Sequence, residues 1–526
     1  MKLNLPFEVL YILHLLNKNG FEGFLVGGAV RDLVMNFEPS TIKDYDFTSD
    51  ANPTEIQSIF KDSFYENKFG TVSLTHENLL NLMNQHYQLP QKNLGYLLIT
   101  KTQQSNKIID LKNAKKIHAS LKDKAITKQS LKSTENNLAP FEITTYRSDG
   151  EYSDHRRPNE VIFGKNIKED LERRDFTINA LAISVDKEYL QKIFSQKQIQ
   201  EQYLIEKNHF ELIDYHNGQI DINKKIIRTV GKPDQRFAED ALRMLRAVRL
   251  AVQLNMDIET ETYSAIKLHK NSLKFVSFER IRDELLKILV SNNPAKGIEM
   301  LDQSDLLMQI IPELYQGINM QQRGHHTTDV WTHSLDTLRY CPSKDPIVRL
   351  AALLHDIGKP PSYREENEEI TFYNHDILGS RIASRIAERL KLSKKDCQRV
   401  FILVRYHMFH YQEYHSDASI RRFIRRVGFE NIDDILDLRE GDRLGSGAKK
   451  TSWRLEEMKK RIIEQLNQPM GLEDLNINGN DLMKELAIKP GPILGEVLDK
   501  LLEKVLENPK LNSKKQLLEE AKKLLV

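Results

Sequence analysis

Apolar positions recur along this chain in two distinct periods. Between residues 21 and 75 they come as short runs such as Phe24-Leu25-Val26, set among turn residues and one helical stretch, Pro53 to Phe60. That pattern predicts a mixed α/β head. From Asp234 onward the spacing lengthens to three and four, as in Ala241-Leu242, Leu245, Val248 and Ala251-Val252, so the second half is expected to be mainly helical. Gly445 to Lys450, Pro469 and Pro490-Gly491-Pro492 punctuate the last third into short helices, with no internal repeat. Met1 to Leu16 is apolar but interrupted by Glu8 and His14, which predicts an amphipathic helix and no signal peptide. Two stretches break the pattern. Asn81 to Glu135 carries ten lysines against three acidic residues with weak periodicity, and Lys187 to Asn208 has the same polar character, so both are expected to be inserted, mobile loops.

Composition narrows the class. A length of 526 residues allows three or four domains, and no apolar run approaches the 18 or so residues of a membrane span, which predicts a soluble multidomain protein. Cys341 and Cys397 are the only cysteines, without Cys-x-x-Cys spacing, as expected in the cytoplasm. Lys+Arg 77 against Asp+Glu 75 leaves +2, so any nucleic-acid contact must come from local patches.

Candidate chemistry begins at Phe24 to Asp32, which reads as a strand, a Gly27-Gly28 turn and a helix start, with backbone N–H groups free to meet an anion. Such a turn is also a common packing device. In Lys43-Asp44-Tyr45-Asp46-Phe47-Thr48 the strand period of two puts Asp44 and Asp46 on one face and Tyr45 and Phe47 on the other. Paired carboxylates either form a solvated edge or hold a cation. A divalent metal held there would activate a 3′-hydroxyl and stabilise a leaving pyrophosphate.

The Gly-Gly-x-x-Arg-Asp turn and the Asp-x-Asp pair are followed in order by Arg173-Arg174-Asp175-Phe176-Thr177-Ile178-Asn179-Ala180 and Glu239-Asp240-Ala241-Leu242-Arg243. In these four motifs the chain closely resembles the class II tRNA nucleotidyltransferase and bacterial poly(A) polymerase family. The likeness continues through Phe278-Glu279-Arg280-Ile281 to Asn478-Gly479-Asn480-Asp481-Leu482 and Ile488-Lys489-Pro490-Gly491-Pro492, which look like the tail of bacterial CCA-adding enzymes carrying an HD domain. It covers nearly the whole chain outside the two insertions.

The implied fold class is α+β: a polymerase-β-like nucleotidyltransferase head with a mixed sheet (1–186), then a helical neck (187–315), an HD domain (316–446) and a helical tRNA-binding tail (447–526). The resemblance assigns Asp44 and Asp46 to catalytic Mg²⁺, with Glu142 as a further functional carboxylate. To the incoming nucleotide it assigns Gly27, Gly28, Arg31, Arg173, Arg174, Asp175, Asn179, Asp240, Arg243 and Arg246, with Asp175 near the ribose 2′-hydroxyl. Asp240 and Arg243, three apart on a predicted helix, share a face and can present one acceptor beside one donor. Cytosine and adenine both match that pair through an amino donor next to a ring-nitrogen acceptor, whereas uracil and guanine do not. An intrahelical ion pair is the alternative. Thr144 to Pro158 looks like the flexible loop of complete CCA-adding enzymes, which favours full CCA addition over CC addition.

In the second half, His333, His355-Asp356 and Asp442 resemble the HD metal-dependent phosphohydrolase signature, with His375 and His407 where binuclear members place further ligands. A divalent transition metal so held would lower the pKa of a bound water for attack on phosphomonoesters or 2′,3′-cyclic phosphates. A vestigial, metal-free site is the alternative. Arg421 with Arg425, and Arg422 with Arg426, lie one helical turn apart and form a stripe that would hold RNA phosphates or simply face solvent. The expectation is template-independent addition of the 3′ CCA end to tRNA from CTP and ATP, by two-metal transfer. The alternatives are a poly(A) polymerase, or an HD phosphohydrolase whose head only binds RNA.

Overall fold

The computed structural model describes residues 2–65, 70–85, 87, 139–148, 162–196, 200–322, 328–366, 369–409, 411–412, 414–487 and 489–525. Most of the expected 81–135 insertion and residues 149–158 of the 144–158 loop lie outside the described residues. The chain forms two compact units, the first reaching residue 310 and the second starting at 311, with 293–295 grouped in the second.

The first unit contains β1 (Lys2–Pro6), β2 (Gly23–Val26), β3 (Asp46–Ser49), β4 (Phe64–Tyr65), β5 (Thr71–Leu74), β6 (Phe141–Thr145), the short pair β7 (Arg147–Ser148) and β8 (Ile162–Phe163), β9 (Ala182–Val185), β10 (Gln202–Glu206) and β11 (Phe210–Ile213). Seven of these make one mixed sheet in the order β11-β9-β2-β3-β6-β5-β4. Only the central pair β3 and β6 runs parallel within it. β2 is central, which is why Phe24-Leu25-Val26 is a continuous apolar run rather than an alternating one. Strand register brings the acidic residues together, because Asp46 stands opposite Val26 on one side and Glu142 on the other. Helix Pro53–Ile59 starts where expected, with Pro53 in its first turn and a reciprocal cap between Asn52 and Glu55.

Three sequence-based expectations fail. The 187–208 stretch is no loop: helix Lys187–Phe194, capped by Asp186, buries Leu190, Ile193 and Phe194, and β10 pairs with β1. Its polar residues mask a thin apolar face. Because β11 pairs with β9, the head sheet also runs well past residue 186. The N-terminal helix, Phe7–Lys18, is not amphipathic, because every residue from Phe7 to Leu13 is buried. Eight of its residues from Phe7 to Leu16 are buried, and Phe7 and Tyr11 pack on Phe194 at 5.1 and 5.6 Å between ring centroids.

That burial includes Glu8, whose Oε1 has no hydrogen-bond partner. Burial, with a smaller push from Glu201, raises its carboxyl from 4.5 to about 7. Below pH 4.5 the acid is neutral in both folded and unfolded chains, so it costs nothing. Between 4.5 and about 7 only the unfolded chain ionises, and stability falls to a plateau about 3 kcal/mol lower. Glu8→Gln is therefore expected to be more stable than the parent at pH 8 and equal to it at pH 4. Urea melts at the two pH values check this, and a difference independent of pH would refute it.

Helices Pro233–Glu239, Leu242–Leu254 and Phe278–Leu289 complete the first unit's functional face. Helix Leu242–Leu254 buries Leu245, Val248 and Val252, while Arg243, Arg246 and Arg249 recur every third residue on its other side. In the second unit, helices Val330–Tyr340, Pro346–Leu354, His375–Arg389, Lys394–Tyr406 and Ile432–Gly445 pack together, and the C-terminal helices enclose their own core of Leu482, Leu501, Val505 and Leu517. Gly441 permits one decisive approach: a Cβ there would lie 2.6 Å from the Thr337 carbonyl oxygen, so glycine lets helix Ile432–Gly445 press Asp442 against His333.

Candidate functional site

Beside the C-terminal end of β2, a cavity of about 380 Å³ gathers most of the motif residues: Gly27, Gly28, Asp46, Glu142, Arg173, Arg174, Asp175, Asn179, Asp240, Arg243 and Arg246. The strand holding the acidic pair starts only at Asp46, with Asp44 exposed just before it. Tyr45 and Phe47 are both buried, so the expected alternation holds across that boundary. Burial, followed by the opposing charge of Arg174 and the like charge of Asp44, leaves the Asp46 carboxyl raised above its ordinary value. Glu142 reaches the same cavity from β6.

Gly27 has φ +78°, and a Cβ there would come within 2.9 Å of the Arg174 guanidinium. Its role is thus to let that cation lie over the turn. The expectation of a free anion-binding amide fails at Gly27, whose N–H donates to the Leu181 carbonyl at 3.1 Å. Arg173 and Arg174 follow helix Ile167–Glu172 and are both fixed by Asp170, which accepts from Arg173 Nη2 at 2.9 Å and Arg174 Nη2 at 3.0 Å. Burial disfavours the Asp170 anion, but the two arginines outweigh it and lower its pKa.

Asp175 is the hub of a second network. It accepts from Arg246 Nε at 2.7 Å, Asn179 Nδ2 at 3.1 Å and the Phe176 N–H at 2.9 Å. Arg31 is not among the residues lining the cavity; it donates to Asn179 Oδ1 at 2.7 Å and Asp32 at 2.8 Å. Against full burial, Arg246 and its companions hold the Asp175 carboxyl down to about 2. Most of its acceptor capacity is therefore engaged within the protein rather than open to a ribose hydroxyl.

Asp240 and Arg243 are not on one helix. Helix Pro233–Glu239 ends before Asp240, which is extended at φ −148°, and its carboxylate caps the next helix by accepting from the Leu242 N–H at 3.1 Å. Nor do they form the intrahelical pair: Asp240 takes two hydrogen bonds from Arg280, at 3.2 and 2.7 Å, and Arg243 pairs with Glu239. The break between the two helices turns both side chains onto the same cavity.

In the second unit, six residues from three helices and the ends of two others converge. His333 Nε2 is 3.2 Å from His355 Nε2 and 3.2 Å from Asp442 Oδ1, and His355 Nε2 is 3.2 Å from Asp356 Oδ2. His375 and His407 approach Asp356 Oδ1 from the other side, at 3.6 and 3.7 Å. Two three-ligand sets thus share Asp356. His355, His375 and His407 each place Nδ1 at 2.7–2.9 Å from the carbonyl three residues earlier, which fixes Nδ1 as the donor and leaves Nε2 with a lone pair aimed inward. The Nε2 atoms of His375 and His407 are buried without a hydrogen-bond partner. Burial, then the neighbouring His355, lowers His407 to about 3, so it is neutral as a ligand must be. The donor set fits a divalent metal pair. Lys359 adds a cation at 2.6 Å from Asp356 Oδ2.

Comparison with known proteins identifies the family. A family model described as the poly A polymerase head domain matches residues 23–87 and 88–228, and one for tRNA nucleotidyltransferase domain 2 matches 375–521. An A-adding tRNA nucleotidyltransferase from Deinococcus radiodurans is 32% identical over 348 residues, spanning 63% of this chain and 74% of that one. The chain belongs to the tRNA nucleotidyltransferase and poly(A) polymerase family of enzymes. A CCA-adding enzyme from Ligilactobacillus salivarius is 29% identical across 99% of this nucleotidyltransferase and 98% of its own length. The crystal structure of the Bacillus stearothermophilus CCA-adding enzyme in complex with CTP superposes with a TM-score of 0.62 at 22% identity, covering 98% and 97% of the two chains, a likeness of fold.

Within this nucleotidyltransferase the expected RNA stripe is redirected. Arg421 is buried, donating to the Leu506 carbonyl at 2.8 Å, and Arg422 and Arg425 pair with Glu503, Glu507 and Asp499 of helix Pro492–Glu507. Of the four, only Arg426 is exposed with no acidic partner among the described residues. The arginines match an acidic helix face that the local sequence does not reveal. Sequence reasoning missed Asp170, Arg147 and Arg280. For Asp170 the signal was its spacing, three and four residues before the arginine pair. Arg147, whose Nη2 donates to Thr71 Oγ1 at 2.6 Å, carried none.

Proposed function

We propose that this nucleotidyltransferase adds or repairs the 3′ CCA end of tRNA, taking CTP and ATP without a nucleic-acid template. One observation carries the reading: Asp240 and Arg243 line the same cavity as Asp46 and Glu142, so a base-reading pair and an acidic cluster share one chamber. Asp44 and Asp46 are suited to hold Mg²⁺, which when bound activates the 3′-hydroxyl and neutralises the leaving pyrophosphate. The surrounding arginines, held by Asp170 and Asp175, match a triphosphate. Arg280 occupies the Asp240 carboxylate, so an entering cytosine or adenine must displace it before its amino group can donate there.

The test is extension of a tRNA transcript ending before CCA, with Mg²⁺ and each labelled nucleotide alone and combined. Two C and one A support the reading. A single A added only to a CC end would make it an A-adding enzyme, and a long ladder from ATP a poly(A) polymerase. Arg243→Ala is expected to keep incorporation but reduce the preference for CTP over UTP about tenfold or more, since one unsatisfied buried group costs about 1–3 kcal/mol. Equal loss for every nucleotide would remove Arg243 from base selection.

The convergence of Nε2 atoms on Asp356 favours a second activity in the same chain, an HD-type metal-dependent phosphohydrolase acting on phosphomonoester or 2′,3′-cyclic phosphate ends of RNA. A divalent metal held there supplies the activated water. Such a centre would clean damaged ends for the head to extend. Among the described residues no helix is long and apolar enough to cross a membrane.

A further inference from the structure

Beside Arg439, which bonds Asp442, a cavity of about 120 Å³ opens between helix Ile432–Gly445, the start of helix Trp453–Gln465 and residues 409, 411 and 412. Arg439 and Arg443, one helical turn apart, and Arg454 from the second helix line it, with Phe409 and Tyr411 as walls. No carboxylate lines it among the described residues. Arg443 donates to the carbonyls of Lys449 at 3.2 Å and Thr451 at 3.5 Å, and its positive charge has no counterion among the described residues. Arg454 lies over the Trp453 ring at 5.3 Å and makes no ion pair among the described residues. Arg439 is the link to the metal-ligand cluster. Its Nη1 donates to Asp442 Oδ2 at 2.6 Å, while Asp442 Oδ1 faces His333 Nε2 at 3.2 Å.

Asp442 already compensates Arg439, but Arg443 and Arg454 bring two uncompensated guanidinium groups to the same small space, and the planar donors of all three suit phosphate oxygens. The space accepts one such group, not a whole nucleotide. Its position, one carboxylate and one guanidinium away from the histidines, suits the phosphate next along a strand whose end lies at the cluster. We infer that this cavity is a phosphate subsite for RNA, taking the internucleotide phosphate adjacent to the one processed at the His/Asp centre. The subsite takes its meaning from the phosphohydrolase reading and its chemistry from the cavity.

The test uses the full-length double variant Arg443→Ala/Arg454→Ala, since neither side chain bonds to a proposed metal ligand. Two substrates are compared: a dinucleotide with a 3′-phosphate, which carries an internal phosphate, and a nucleoside 3′-monophosphate, which does not. The double variant is expected to raise KM for the dinucleotide about tenfold and leave its kcat, KM for the monophosphate and CCA addition unchanged. Fluorescence anisotropy with the labelled dinucleotide is expected to show the same tenfold loss. If nothing is hydrolysed but that loss of binding remains, the subsite stands and the phosphohydrolase reading falls. Hydrolysis with both KM values and the anisotropy unchanged overturns the subsite and spares the hydrolase. Inorganic phosphate displacing the dinucleotide at equal concentration would assign the cavity to free phosphate and overturn the strand reading.

Discussion

Asp46→Asn is expected to lower incorporation of both C and A by at least about 10³-fold while leaving the fold intact. The residue begins β3, with Val26 and its glycine turn on one side and Glu142 on the other, so its carboxylate has little freedom to be replaced by a neighbour. Its raised pKa, caused first by burial, opposed by Arg174 and reinforced by Asp44, describes an anion that burial disfavours even with guanidinium groups nearby. A divalent cation offsets that cost, and asparagine keeps the shape while deleting the charge that holds it. A metal serving each of the proposed additions would spare no nucleotide, and a 10³-fold loss corresponds to about 4 kcal/mol of transition-state stabilisation. Single-turnover extension of a tRNA lacking CCA, with a thermal melt as control, measures this. Activity within tenfold of the parent would place the metal elsewhere.

The second large effect is expected at the His/Asp centre. Asp356 is the only residue common to both ligand triads, with one oxygen toward His375 and His407 and the other toward His355 and Lys359. Replacing it with asparagine removes the shared anion without opening a hole. Either substitution removes the counterion of the buried Lys359 ammonium, but asparagine keeps a carbonyl oxygen to accept from it, whereas alanine leaves that cation without an acceptor there and would confuse folding with metal loss. Asp356→Asn is expected to abolish tight Mn²⁺ binding in equilibrium dialysis and to reduce hydrolysis of RNA 3′-phosphates and 2′,3′-cyclic phosphates by about 10³-fold. Addition of CCA should continue at the parental rate. Unchanged Mn²⁺ stoichiometry would refute the ligand assignment, and hydrolysis surviving the loss of metal would refute the activity.

Both predictions depend on residues that short motifs made visible. Asp44-Tyr45-Asp46 was legible because strand periodicity operates within three residues, and His355-Asp356 because adjacent polar residues close an apolar helix. Less was visible where chemistry depends on distant partners. The basic stripe at Arg421 to Arg426 looked like an open phosphate site because its acidic counterpart, Asp499 to Glu507, lies some eighty residues further along the chain. Residues 187–208 looked like an insertion because their apolar positions number few, yet Phe194 completes an aromatic cluster with Phe7 and Tyr11. The helix drawn through Asp240 failed for a local reason, since an aspartate can cap a helix as readily as continue one.

The sequence by itself determined the α/β head and helical second half, the acidic strand, the arginine-rich motifs and the identity of the histidine and aspartate cluster. Those features follow from side-chain periodicity and from residue types whose chemistry is the same wherever they lie. Tertiary structure alone decided that Arg280 rather than Arg243 holds Asp240, that Glu503 and Glu507 hold Arg422, and that Asp356 is shared between two ligand sets. Each of these is a pairing of charges across a turn or between helices. The energy of such a pairing depends on distance and burial, and neither is written in the order of residues along the chain.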